Sequence, residues 1–136
     1  MQTTSLIHEA WLKLHDDTGW ADHAHFLRAA AQAMRHVLID TARARLRLKR
    51  DPGGPQVTLS NADFAAADMP DETLVALGDA VDRLTAFDAR AAQVVECRFF
   101  AGYTDAETAE ALEINERTVR RDWLKAKAWL YRELTT

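Results

Sequence analysis

Basic side chains near the C-terminal end are the residues whose spacing best suits a chemical task. Arg117, Arg121 and Lys125 are four residues apart, so a helix would place them on one face. Arg120 lies beside that face. Arginine can pair through two hydrogen bonds with guanine, and both residue types neutralise phosphate. The pattern predicts a helix that binds duplex DNA; the alternative is the solvated face of an ordinary bundle, because helix surfaces are often basic.

The residues around this basic stretch predict how its helix is positioned. A second stripe at helical spacing should be buried, and it consists of Val119, Trp123, Ala126 and Leu130. Thr104 and Glu107 have the spacing of a capping box, in which each side chain bonds the other's free backbone N–H group. The helix that they begin ends by Leu112, and Asn115 caps the basic helix after a three-residue turn. Two helices joined in this way have the outline of a helix-turn-helix.

The rest of the sequence predicts an all-helical (all-α) protein made of two small domains. Further helices are expected over residues 5–15, 22–50, 71–86 and from 88 to about 101. Segment 51–70 contains all three prolines and two of the five glycines, so it should be a flexible linker. The predicted domains are therefore residues 1–50 and residues 71–136, the second being a four-helix domain with the helix-turn-helix.

Charge is distributed very unevenly along a chain whose formal net charge is −4. Residues 28–50 contain seven Lys or Arg and one Asp, which gives +6, whereas residues 57–115 contain three bases and twelve acids, which gives −9. Residues 116–136 contain six bases and three acids, which gives +3. Two basic segments that flank an acidic one indicate a polyanion partner, while the overall acidity argues against indiscriminate coating of nucleic acid.

The sequence disfavours several other kinds of site. The single cysteine, Cys97, rules out an internal disulfide and a cysteine-based zinc site, and its apolar neighbours predict burial. The five histidines lack metalloprotease spacing, and no phosphate loop or nucleophile motif is present, so we expect no enzyme, no catalytic residue, no metal and no cofactor. No stretch nears the length of a membrane span, so no membrane insertion and a cytoplasmic location are expected.

Three stretches of the chain carry a resemblance to a known family. Residues 72–134, centred on "VVECRFFAGYTDAETAEALEINERTVRRDWLKAKAWLYREL", resemble the fourth domain of bacterial RNA polymerase sigma factors of the extracytoplasmic-function (ECF) class. "SLIHEAWLKL" resembles the helix of that family that binds the polymerase clamp, and "FLRAAAQAMRHVLIDTARARLRLKR" resembles its promoter-melting helix. The family has further helices before this point, so the chain is expected to be shortened at its N-terminus. The resemblance implies a sigma factor that directs core RNA polymerase to promoters and assists DNA melting in transcription initiation.

The resemblance also implies a partner for each region of the chain. The clamp of core RNA polymerase would contact Leu6, Ile7, Glu9, Leu12 and Lys13. The separated strand of the minus-ten element would contact Trp20, His23, His25, Arg28, Arg35, His36 and Arg43. Trp20 is open to either packing or base stacking. The fourth domain would sit on the polymerase flap, and the minus-thirty-five duplex would contact Arg117, Thr118, Arg120, Arg121 and Lys125. An anti-sigma protein is a further partner that such a factor can have.

Some positions depart from the usual pattern of the family. Glu113 stands where the turn usually has glycine, which predicts a non-glycine residue at positive φ. Asp122 replaces a commonly basic residue, which predicts fewer phosphate contacts. Ala29 and Ala31 stand where aromatic residues are frequent, which predicts weaker stacking on unpaired bases.

Two other functions fit the same pattern of residues. A helix-turn-helix transcriptional regulator would use its N-terminal half only to dimerise or to bind an effector. A helical decoy would bind polymerase or an anti-sigma protein without opening DNA. Template-dependent initiation with purified core polymerase separates the three, because only a sigma factor confers it.

Overall fold

The computed structural model of the chain describes residues 23–49 and 69–135. These residues contain no strand and form the helices α1 (His23–Lys49), α2 (Asp71–Phe87), α3 (Ala89–Val95), α4 (Asp105–Leu112) and α5 (Glu116–Thr135). A π-helical turn, Glu96–Phe100, continues α3. The predicted all-helical class is confirmed, and the helices lie close to where the apolar periodicity places them. The predicted helix over residues 5–15 and most of the predicted linker lie outside the described residues.

Local hydrogen bonds explain where α3, α4 and α5 begin. Asp88 accepts a bond from a first-turn N–H group of α3 at 3.1 Å. The predicted capping box is present at α4: the Glu107 N–H donates to Thr104 Oγ1 at 3.1 Å, and the Thr104 N–H donates to Glu107 Oε1 at 2.8 Å. The Thr118 N–H donates to Asn115 Oδ1 at 2.9 Å where α5 starts. Each bond satisfies an N–H group that has no partner within its own helix.

Two residues with positive φ separate the last three helices. Gly102 has a φ of 74°, and beside it the Tyr103 N–H donates to the Cys97 carbonyl at 2.9 Å, directly after the bond from the Ala101 N–H to the Glu96 carbonyl that ends the π-helical turn. Glu113 ends α4 with a φ of 57° and a ψ of 45°, so the prediction of a non-glycine residue at positive φ is confirmed. This left-handed conformation costs a residue with a Cβ atom about 1–2 kcal/mol.

Helix α1 shares its apolar core with the C-terminal helices. One cluster joins α1 to α2, α3 and α5, and its α1 members are Ile39 and Ala42. A second cluster joins the start of α1 to the π-helical turn and α4, and it consists of Phe26, Leu27, Ala31, Cys97, Ala101, Tyr103 and Ala111. Cys97 is 1% exposed, as its apolar neighbours predict. The division of the chain into domains 1–50 and 71–136 stays a prediction.

Candidate nucleic-acid interface

Four of the residues expected at the minus-thirty-five duplex form one exposed surface on α5. This surface, here named the basic face, consists of Arg117, Arg120, Arg121 and Lys125. Within the described part of the chain none of the four forms an ion pair. The fifth expected residue, Thr118, is half-buried beside the cap of α5. The basic face is therefore available to an external anion.

The opposite side of α5 fixes the direction of the basic face. Its buried members are Val119, Ala126 and Leu130, as the sequence predicts. Trp123 is half-buried rather than fully buried, and its ring lies 5.8 Å from the guanidinium of Arg98 and 5.2 Å from the ammonium of Lys127. Such distances are typical of cation–π contacts, so Lys127 packs against the protein instead of extending the basic face.

Asp122 is buried and does not lie on the basic face, and the expected reduction of phosphate contacts at this position stays a prediction. Its side chain is 8% exposed, and its carboxylate contacts Arg90 of α3, with 2.7 Å between Oδ2 and Nε. A second contact of 3.4 Å joins Oδ1 to Nη2 of the same arginine. A two-pronged pair of this kind is stronger and more directional than a neutral hydrogen bond, so Asp122 holds α5 against α3.

The arginines of α1 that the resemblance assigns to the separated DNA strand lie against the C-terminal helices. Arg28 donates from Nη1 to the carbonyl of Ala111 at 3.1 Å, in the last turn of α4. Arg35 is bound to two carboxylates, Asp82 at 2.5 Å and Glu96 at 2.7 Å, and its side chain is only 13% exposed. These residues do not extend into solvent as a strand-binding surface would require.

The contacts between α1 and α2 continue along the basic end of α1. Arg43 Nη2 lies 3.2 Å from Asp79 Oδ1, and Arg45 Nη1 lies 3.5 Å from Asp71 Oδ1. The acidic residues that receive the α1 arginines are here named the acidic face, which consists of Asp71, Asp79, Asp82 and Glu96. Helix α1 thus lies on a surface of opposite charge.

Of the histidines expected to bind DNA, one contacts α4 and two are exposed. His23, at the start of α1, contacts Glu110 of α4 through its Nδ1 atom. His25 and His36 are exposed. The remaining expected site residues lie outside the described part of the chain, namely Leu6, Ile7, Glu9, Leu12, Lys13 and Trp20. The structure therefore gathers four of the five expected α5 residues on one surface but pairs Arg28, Arg35 and Arg43 of α1 with groups on the C-terminal helices.

None of the acidic face was predicted from the sequence, and Glu96 is its buried member. It is buried in the π-helical turn, and burial raises the pKa of its carboxyl above the ordinary value of 4.5, although Arg35 beside it opposes part of the rise. The signal that could have found this pairing is the opposite charge of segments 28–50 and 57–115. Charge totals indicate that two segments attract one another, but they do not identify the partners.

The described residues contain neither a candidate metal-binding cluster nor a helix that could cross a membrane. No group of three or more His, Cys, Asp or Glu that could hold a metal ion occurs within residues 23–49 and 69–135. In those same ranges, no helix combines the length and the apolar character that crossing a membrane requires.

The fold and the basic face together define a class of protein. An all-helical chain that presents an exposed basic face on one helix, preceded by a capped helix and a three-residue turn, has the features of a DNA-binding protein. The model of the ECF sigma factor family matches the chain over residues 1–136. The chain therefore belongs to the ECF sigma factor family, a family of transcription initiation factors that bind core RNA polymerase and promoter DNA. No curated protein and no solved structure matches it.

Proposed function

We propose that this chain directs core RNA polymerase to promoters and assists the melting of promoter DNA. In this proposal α4, the turn 113–115 and α5 form a helix-turn-helix within a domain of residues 71–136. Helix α5 lies in the major groove of the minus-thirty-five element, and the domain rests on the polymerase flap. The residues that contact the duplex are Arg117, Thr118, Arg120, Arg121 and Lys125.

The observation that carries this proposal is the unpaired state of the basic face. Most other arginines of the described residues have a carboxylate or carbonyl partner, and these are Arg28, Arg35, Arg43, Arg45, Arg83, Arg90 and Arg98. Four unpaired cations on one helix repel each other and produce a positive surface potential. Phosphates of duplex DNA neutralise such a surface and release counterions, which favours binding.

The N-terminal half supplies the other contacts of the proposed sigma factor. The polymerase clamp binds Leu6, Ile7, Glu9, Leu12 and Lys13. The separated minus-ten strand binds Trp20, His23, His25, Arg28, Arg35, His36 and Arg43. These two sets belong to a domain of residues 1–50, and segment 51–70 links it to the second domain. Such a factor works in the cytoplasm with the polymerase, and an anti-sigma protein is a suitable regulator.

Transcription with purified components tests the proposal. Core RNA polymerase with the full chain should initiate on specific fragments of a DNA library, and core polymerase alone should not. A transcriptional regulator or a decoy would bind DNA or polymerase without conferring initiation. Permanganate reactivity of unpaired thymines on the same fragments measures melting, so duplex recognition without reactive thymines would remove the melting role from the proposal.

The basic face is tested by a single substitution in the holoenzyme. Arg121→Ala should weaken binding to a selected promoter duplex by about 1–3 kcal/mol, with relaxed sequence preference, if it contacts a base. If it contacts only phosphate, all sequences should weaken alike and the salt slope should fall by about one. Arg83→Ala is the matched control, because it removes the same charge from an exposed arginine of α2 that pairs with Glu133. Equal binding by both variants would show that the basic face does not contact the duplex.

A further inference from the structure

The contacts of α1 compete directly with its proposed role on single-stranded DNA. Arg35 is bonded to both Asp82 and Glu96, and its side chain is 13% exposed. A phosphate that approached this guanidinium would meet two carboxylates at the same position. Arg28 and Arg43 are engaged in the same way, by a carbonyl of α4 and by Asp79. While α1 lies on the acidic face, Arg35 is therefore closed to a DNA strand, and a strand would have to replace the protein partners of Arg28 and Arg43.

Steric details show that the packing of α1 on α2 is a specific contact. A Cβ atom at Gly78 of α2 would lie 2.6 Å from Cδ1 of Ile39 in α1, and 3.2 and 3.3 Å from its Cγ1 and Cγ2 atoms. Glycine inside a helix costs roughly 0.5–1 kcal/mol relative to alanine, so its presence here fits a site that needs close approach. Near the start of α1, the buried hydroxyl of Tyr103 donates to the Leu27 carbonyl at 2.8 Å.

We propose that the docked α1 is an autoinhibited state, in which the acidic face and the Ala111 carbonyl hold the arginines that would otherwise bind the separated promoter strand. Helix α1 leaves the acidic face before these arginines contact DNA. The inference rests on the proposed function, because it uses the assignment of Arg28, Arg35 and Arg43 to that strand. Docked α1 also contacts α4, through Arg28 at Ala111 and through His23 at Glu110, so it connects the melting helix to the proposed helix-turn-helix.

The balance of forces allows such a state to open. The side chains of Asp79 and Asp82 are 56% and 61% exposed, and exposed ion pairs contribute only about 0–1 kcal/mol each. A DNA strand with closely spaced phosphates can therefore replace these two carboxylates, whereas the largely buried pair of Arg35 with Glu96 opposes opening. A DNA strand cannot replace the apolar contacts that α1 makes with the C-terminal helices. These contacts therefore favour the docked state when no strand is present.

Cys97 provides a measure of docking that involves no DNA. It is the single cysteine of the chain, and it belongs to the cluster that Phe26, Leu27 and Ala31 of α1 complete. Burial raises the pKa of its thiol to about 12, so the docked protein should react slowly with Ellman's reagent. Undocking of α1 uncovers the thiol, and the reaction rate of the full chain reports how often this occurs.

A steric variant and its compensating partner test the docking. Gly78→Leu should push α1 away from α2 without disturbing helix α2, and should accelerate the thiol reaction roughly tenfold or more. Adding Ile39→Ala removes the colliding atoms, so the double variant should react slowly again. Circular dichroism establishes that both variants remain helical.

A charge variant tests the acidic face independently, should Gly78→Leu fail to fold. Asp82→Asn removes one partner of Arg35 and should accelerate the thiol reaction several-fold. Glu72→Gln is the matched control, because it removes the same charge from α2 at an exposed residue with no ion-pair partner among the described residues. Wild-type rates in both Asp82→Asn and Gly78→Leu would overturn the proposal.

Binding of a fluorescein-labelled, mixed-sequence single strand tests the inhibition itself. Gly78→Leu and Asp82→Asn should bind it several-fold more tightly than the wild-type chain and Glu72→Gln, and the strand should accelerate the thiol reaction of the wild type. Faster thiol reaction without tighter strand binding would overturn the inhibitory role. Unchanged duplex binding by Arg121→Ala concerns the proposed function alone, so the two failures are distinguishable.

Discussion

The ion pair between Arg90 and Asp122 should respond very differently to the loss of each partner. The Asp122 side chain is 8% exposed, whereas that of Arg90 is 53% exposed. Arg90→Ala therefore leaves a buried carboxylate without its partner and should lower the free energy of unfolding by about 2–3 kcal/mol, less than the loss at a fully buried pair. Asp122→Ala leaves an arginine that water can solvate, so it should cost only about 1 kcal/mol.

Urea unfolding of the full chain, followed by far-ultraviolet circular dichroism, measures this difference. The double variant of Arg90→Ala and Asp122→Ala should be about as stable as Asp122→Ala alone, because it contains no buried carboxylate that lacks a partner. Arg83→Ala, which breaks an exposed pair with Glu133, is the control and should cost about 1 kcal/mol or less. Equal losses in the two single variants, or a double variant as unstable as Arg90→Ala, would refute the reasoning.

Two further predictions concern Glu113 and Glu96. Glu113→Gly should raise the free energy of unfolding by up to about 1 kcal/mol, because glycine adopts positive φ without strain, and Glu113→Ala, which keeps the Cβ atom, should not. Thermal unfolding would contradict this if the two variants were equally stable. Burial raises the pKa of Glu96 above 4.5, so the folded state holds this proton more tightly than the unfolded state. The wild type should therefore lose stability relative to Glu96→Gln as pH rises through the range from 4.5 to the raised pKa, and a pH-independent difference would count against it.

The sequence determined the helices and the surface of α5 because the forces that specify them act over a few residues. The capping box of Thr104 and Glu107 joins residues three apart, and the left-handed turn at Glu113 depends on its own backbone. The basic face follows from the spacing of Arg117 and Arg121 on a helix whose other side is apolar. Each of these features could be predicted without knowing what packs against what.

Tertiary structure alone decided which charges are free and which are paired. Arg28 and Arg121 are both arginines on amphipathic helices, yet Arg28 donates to the Ala111 carbonyl, 83 residues away, while Arg121 remains exposed and unpaired within the described residues. Asp122 follows Arg121 directly in sequence but is turned toward Arg90 of α3. Such pairs depend on the packing of distant helices, which apolar contacts select and charge totals do not. A charge pattern therefore revealed that the chain holds basic segments, and the packing of α1 determined that Arg28, Arg35 and Arg43 have protein partners while the basic face of α5 stays unpaired within the described residues.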